Sequence, residues 1–206
     1  ISELKKLEAE ALKTAQEDAK KLSRSREQAA RMLEKRIGTE LAELDMKAVF
    51  KVQLAPVQMT SNGSDAVQFL LSANAGEEAR PLSRIASGGE LARIMLAMKS
   101  VLAENDDVGT LIFDEVDAGV SGRAAQRVAE KLEALGRKRQ VLCVSHLPQL
   151  AAMADDHFLI EKKESGGRTF TSVSALDNNG RVGEISRIIG GASITETTQK
   201  SAAEMI

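Results

Sequence analysis

At 206 residues, with 43% hydrophobic and 28% charged positions, the chain is long enough for one α/β domain with a substantial core and an appendage. A formal net charge of -2 supplies no global basic field, so a nucleic-acid partner cannot be argued from the charge balance, although a local basic patch is compatible with it. The 2% aromatic share, with no Trp or Tyr, argues against stacking on exposed bases as the main task. No apolar run approaches the ~20 residues of a membrane span and no signal peptide pattern is seen, which predicts a soluble cytoplasmic protein without a membrane partner. The single cysteine, Cys143, lies in the apolar run from Val141 to Val144. It is expected to be a small buried core residue in a reducing compartment. Because the chain opens on Ile1 and not on methionine, it is expected to be a piece of a longer protein.

From Ile1 to about Leu44 the sequence lacks Pro, has only Gly38, and is dense in Ala, Glu, Lys, Leu and Gln, which predicts one long helix. Its later part carries a stripe through Leu22, Ala29, Leu33, Ile37, Leu41 and Leu44 at helical spacing. The earlier part is less regularly patterned, with Leu4, Leu7 and Ala11. It reads either as a solvated helix or as the base of a coiled-coil arm whose second strand lies elsewhere. Two β-rich runs, Val49 to Leu54 and Val67 to Ser72, flank the turn cluster Ser61 to Asp65 and predict a hairpin. The loop Ala75 to Glu78 leads through Pro81 to a glycine pair. An amphipathic helix then runs from Glu90 to about Ala103 on Leu91, Ile94, Met95, Met98, Val101 and Leu102.

The apolar runs Thr110 to Phe113 and Gln140 to Val144 are expected to be parallel strands buried on both faces, joined through a crossover helix from Gly122 to Leu135. Asp156 to Lys162 and Arg168 to Val173 flank Ser165-Gly166-Gly167 and read as a hairpin. Two short helices, Val182 to Ile189 and Ile194 to Met205, close the chain around Gly190-Gly191.

Four segments carry candidate chemistry. In Ser87-Gly88-Gly89-Glu90 the glycines permit close backbone approach to a phosphate, and the helix that follows presents unpaired N–H groups to an anion. The alternative is a serine cap on a tight turn. The run Leu111-Ile112-Phe113 delivers Asp114 and Glu115 at a strand end, where phosphates bind in open α/β sheets. Asp114 would hold Mg²⁺ and Glu115 would orient and deprotonate a water. Asp117, in the loop that follows, is either a group reaching across a subunit boundary or part of a capped turn, and its neighbours favour the first. His146, after the second strand, is placed to donate a hydrogen bond as a neutral imidazole to a phosphate or to water, although a histidine at a strand end is more often structural. His157 has no comparable setting. The G-x-x-x-x-G-K-[ST] phosphate loop is absent, so these residues read as part of a site completed from elsewhere.

The order of these segments resembles the C-terminal half of an ATP-binding-cassette ATPase head. Ser87 to Leu91 is similar to the signature motif, Leu111 to Glu115 to the Walker B strand, Val116 to Gly119 to the D-loop, and Ser145-His146 to the switch histidine. A long helix feeding such a half-head is the layout of the SMC-like group. The stretches Phe69 to Glu77, Ala86 to Ala97, Phe113 to Gly122 and Glu184 to Gly191 resemble the bacterial DNA-repair members of that group. The resemblance implies an α/β fold, the C-terminal lobe of an ABC-type P-loop NTPase head with a largely parallel sheet, preceded by a long coiled-coil helix. Residues 1–45 would be the arm base and 46–206 the half-head.

It also implies ATP and Mg²⁺ as cofactors. Ser87, Gly88, Gly89, Glu90 and Asp117 would face nucleotide, Asp114 the metal, and Glu115 and His146 would be catalytic. Implied partners are the N-terminal half of the same head, a second head in an ATP-dependent homodimer, and DNA as double-stranded ends or single strands. The setting would be the nucleoid in the cytoplasm and the role recombinational repair of double-strand breaks. The 206-residue chain alone would hydrolyse little ATP. Two competing readings are a transporter nucleotide-binding domain, against which the long helix argues, and a noncatalytic dimerisation module.

Overall fold

The computed structural model describes residues 1–72, 76–84, 87–103, 107–165, 167–191 and 193–206. Of the stretches quoted above, Ala73, Asn74, Ala75, Ile85, Ala86 and Gly166 lie outside the described residues. The chain divides into two units: Ile1–Ala86 with Ala97–Val101, and Ser87–Leu96 with Leu102–Ile206.

The first unit is built on α1, a helix of 42 residues from Ser2 to Glu43. It ends where Asp45 takes a left-handed backbone (φ 61). There the Met46 N–H donates to Leu41 O at 2.9 Å and the Asp45 N–H to Ala42 O at 3.1 Å, so orphan carbonyls of the last turn are satisfied. Every residue from Ile1 to Asp18 is exposed, whereas Ala19, Ala30, Ile37 and Leu41 are buried, followed by Leu44. The covered face differs from the expected stripe, because Leu22 and Ala29 are exposed and Ser23 and Arg26 take half-buried places on it.

The reason is the antiparallel hairpin of β1 (Val49–Thr60) and β2 (Gly63–Ser72), whose tip meets α1 through polar groups. Ser23 Oγ donates to Asp65 Oδ2 at 2.7 Å, Arg26 Nη1 lies 3.3 Å from the same oxygen, and Arg26 Nη2 donates to Asn62 O at 2.8 Å. Farther along, the Val52 N–H donates to Glu34 Oε1 at 2.9 Å. At the turn, Gly63 has φ +92, a backbone conformation that favours glycine, and an added Cβ would stand 2.9 Å from the tip of the Leu22 side chain. Phe50 and Phe69 meet on the inner face with centroids 5.6 Å apart. The short β3 (Arg80–Pro81) extends the sheet beyond β2.

The second unit centres on a parallel pair, β4 (Thr110–Phe113) and β5 (Gln140–Cys143), with Thr110 opposite Gln140 and Phe113 opposite Cys143. Their crossover is α3 (Gly122–Gly136), whose buried face is Ala125, Val128, Ala129, Leu132 and Leu135. Parallel strands need such a connection because a tight turn cannot reverse the chain twice. Burial on both faces, expected from the continuous apolar runs, is not observed. Leu111 and Phe113 are covered, but Ile112 is 72% exposed, its partner Leu142 47%, and Val144 53%. Cys143 likewise has exposed surface, contrary to the expectation of a core residue.

The helix carrying the glycine pair, α2 (Gly88–Leu102), begins two residues before the expected Glu90, so both glycines lie in its first turn. Ile94, Leu96 and Ala97 are fully buried and Arg93 nearly so, which shows a helix covered over more than the one predicted face. A short helix, α4 (Pro148–Met153), was not expected, although Pro at its first position is a recognised start signal. The hairpin β6 (Phe158–Ser165) and β7 (Arg168–Ala175) forms in the anticipated place. The closing helices α5 (Asn178–Gly190) and α6 (Glu196–Met205) pack with α4 around Ala152, Ile185 and Ala202. Arg181, only 9% exposed, donates to Ala152 O at 3.0 Å and Ala154 O at 2.6 Å, which satisfies carbonyls at the end of α4.

Candidate functional site

The expected site residues fall on three backbone features of the second unit. Asp114 and Glu115 follow β4 directly and are both exposed, while the next two residues, Val116 and Asp117, are buried. Ser145 and His146 follow β5. Because the strands are parallel and in register, and the Val144 N–H donates to Phe113 O at 2.9 Å, the acids and the histidine leave the sheet at the same end. The third feature is the first turn of α2. Ser87 Oγ accepts from the Glu90 N–H at 3.4 Å, so the serine caps the helix whatever else it does.

The loop after β4 holds these features together. Glu115 has a left-handed backbone (φ 57), uncommon for a residue with a Cβ. Its carboxylate reaches Gly88, where an added Cβ would stand 2.6 Å from Oε2. Gly89 is buried against the same loop: a Cβ there would meet Ala118 Cβ at 2.7 Å and Ala118 O at 3.0 Å. Arg93, one turn further along α2, donates from Nη1 to Ala118 O at 2.6 Å. Burial pulls the Arg93 guanidinium below the usual arginine value, with Glu90 acting in the opposite sense, yet arginine remains a cation at ordinary pH. No sequence signal distinguished Arg93 from the other positions of an amphipathic helix.

Asp117 is 2% exposed, and its carboxylate is engaged within the chain. Ser145 Oγ donates to Oδ2 at 2.6 Å and the His146 N–H at 3.0 Å. His146 Nδ1 lies 3.2 Å from that oxygen, while the histidine side chain is 76% exposed. Ser145 Oγ in turn accepts from the Leu147 N–H at 3.0 Å. Nearby, Cys143 exposes part of its surface, but desolvation, reinforced by Asp117 and Asp114, pushes its thiol up to about 12.

The arrangement brings together exposed carboxylates, an exposed imidazole and a glycine-opened helix start. Among the described residues there is no group of three or more His, Cys, Asp and Glu side chains suited to hold a metal ion. Among the described residues no helix is long and apolar enough to cross a membrane.

No protein-family model matches the chain. The head domain of Smc from Pyrococcus yayanosii, solved with a coiled coil and joint, aligns over 93% of this chain and 36% of that one, with a TM-score of 0.59 and 21% identity. The fold, with a long helix leading into it, is thus similar to that of an Smc head domain with its coiled coil. DNA repair protein RecN of Bacillus subtilis is 44% identical over 92% of this chain and 36% of that protein. RecN of Halalkalibacterium halodurans is 47% identical over 90% and 34%, and that of Vibrio cholerae 42% over 91% and 34%. The chain belongs to the RecN family, and spans about a third of the length of the curated relatives it matches.

Proposed function

We propose that this chain supplies the signature and Walker B half of an ATP-binding and ATP-hydrolysing head in an SMC-like protein of DNA double-strand break repair. Residues 1–45 would form the base of a coiled-coil arm and residues 46–206 the C-terminal half of the head. The observation that carries the reading is the shared exit of Asp114, Glu115 and His146 from one end of the parallel pair β4–β5.

In this reading Asp114 binds Mg²⁺, which neutralises phosphate charge when bound. Glu115 orients a water and takes its proton, and His146 sits beside the γ-phosphate. Ser87, Gly88, Gly89 and Glu90 face the ATP of a second head, using the backbone N–H groups at the start of α2. The resemblance places Asp117 with them. Its burial and its same-chain donors support action through His146 instead. The exposed apolar pair Ile112 and Leu142 supports a further segment, the N-terminal half of the head, lying against this sheet. ATP-dependent closure of two heads on DNA, in the cytoplasm at the nucleoid, is the role that follows.

The test is ATP turnover by the whole protein with Glu115→Gln. A general base contributes about 10²–10⁴-fold, so turnover is expected to fall by about that factor. Unchanged hydrolysis would remove the catalytic assignment. The 206-residue chain by itself is expected to show no appreciable turnover, because it has no phosphate loop.

A further inference from the structure

We infer that the face of α1 carrying Lys20, Arg24, Arg31 and Lys35 is a contact surface for the phosphate backbone of duplex DNA. At ~100° of rotation and ~1.5 Å of rise per residue, the four positions fall within about 60° around the helix axis and span about 22 Å. All four are exposed, and Gln28, which completes the row, is exposed and neutral. Lys13 and Lys6 continue the row toward the start of the helix, where Glu10 and Glu17 alternate with them. Basic and acidic residues nearly balance along α1 as a whole, so the row is a segregation of charge by face. Glu27 lies beside it, whereas Glu34 is turned to the hairpin and accepts from the Val52 N–H at 2.9 Å.

Among the described residues none of the four cations forms an ion pair, in contrast to Lys21, which is held by Asp18 at 2.9 Å. Lys20 with Arg24, and Arg31 with Lys35, are like-charge pairs at i, i+4, which destabilise a helix in water. Solvation alone is served by alternating signs, whereas a polyanion laid along the row turns the repulsion into attraction. The face is also free. The buried positions Ala19, Ala30, Ile37 and Leu41 lie roughly 90–130° round the axis from it, and the exposed Leu4, Leu7 and Leu22 roughly 110–170°. A second helix packed on those leucines would leave the row open. No aromatic side chain stands in the row, so it offers charge without base stacking, which suits the regular phosphates of a duplex. The inference rests on the reading of DNA as a partner and is independent of the ATPase reading.

Fluorescence anisotropy of the whole protein without nucleotide, on two duplexes of unrelated sequence between about 50 and 200 mM salt, tests it. Each lost phosphate contact lowers the slope of log K against log salt by about 0.9, so Arg24→Gln with Arg31→Gln is expected to lower it by about 2. The weakening is expected to be equal for both sequences. Glutamine keeps the helix propensity, so the far-ultraviolet circular dichroism is expected to stay unchanged. Lys5→Gln with Arg36→Gln removes the same charge from other faces of α1 and is expected to leave the slope within about 0.5 of wild type. Arg24→Lys with Arg31→Lys, which keeps the charge, is expected to keep the slope. Equal slopes for the row pair and the off-row pair overturn the inference and leave DNA standing as a partner. A wild type that binds neither duplex overturns the inference together with that reading, and binding of poly-L-glutamate in its place would give the face to an acidic protein.

Discussion

The carboxylate of Glu115 lies against Gly88, so close that a Cβ added to the glycine would stand 2.6 Å from Oε2. Gly89 is tight for a different reason: its added Cβ would meet Ala118 Cβ at 2.7 Å, Ala118 O at 3.0 Å and Glu115 O at 3.1 Å. At Gly88 the obstacle is the tip of a rotatable side chain. At Gly89 two of the three obstacles are backbone. Gly88→Ala is therefore expected to fold with a stability within about 0.5 kcal/mol of wild type while moving the Glu115 carboxylate. Gly89→Ala is expected to lose about 1–3 kcal/mol, as overpacked sites do. Thermal unfolding followed by circular dichroism compares the two, and equal melting temperatures would refute the distinction.

Asp65 joins the hairpin tip to α1, with its side chain 13% exposed and that of Arg26 25%. Replacing it by alanine removes the acceptor of Ser23 and the ion-pair partner of Arg26. Ser23 can turn its one hydroxyl proton to Ala19 O and Arg26 keeps its bond to Asn62 O, so the expected loss is about 1–2 kcal/mol. Asp65→Asn, which keeps an acceptor for Ser23, is expected to lose less. Amide hydrogen exchange at the β1–β2 turn reads the local effect, and protection unchanged in Asp65→Ala would count against it.

Arg181 bonds to carbonyls that end α4, and no other residue type presents so many donors in a planar fork. Arg181→Met leaves those carbonyls without their donors in a mostly buried place, for an expected loss of about 2–4 kcal/mol. Arg181→Lys is expected to recover only part of it. Urea unfolding measures both, and a loss under about 0.5 kcal/mol in the methionine variant would show that the carbonyls find other donors.

The Cys143 thiol, held at about 12 against an ordinary 9.0, stays protonated well above neutral pH. Alkylation proceeds through the thiolate, so iodoacetamide at pH 8 is expected to modify the folded chain more slowly than the urea-unfolded chain. The raised value also sets a sign for stability. The unfolded thiol ionises first, so this contribution is fully present below about pH 9 and is lost as pH rises toward 12. Comparable alkylation rates in the two states would show that the thiol is not desolvated.

Elements governed by periodicity or local chemistry were legible. The long helix, both hairpins, the crossover between Asp-Glu and Ser-His, and the two closing helices all appear, although the first hairpin extends past the expected Leu54 and Val67 to Thr60 and Gly63, its pairing carrying through Pro56 and into the expected turn cluster. The face of α1 was read less well, because Ser23 and Arg26 belong to it through partners about 40 residues away and not through hydrophobicity. The same applies to Arg93 and Arg181, charged residues that hydropathy assigns to solvent and that carbonyl acceptors draw inside.

The candidate site divides along the same line. By itself the sequence determined which chemical groups are present and which strand ends carry them, since an apolar run followed by acids or histidine is a local pattern. Only the tertiary structure decided that Asp117 turns inward to Ser145 and His146 while Asp114 and Glu115 stay outside. That choice depends on a left-handed residue at position 115 and on two strands meeting in register. Backbone conformation at a single non-glycine residue and pairing between distant segments leave no periodic trace in the chain.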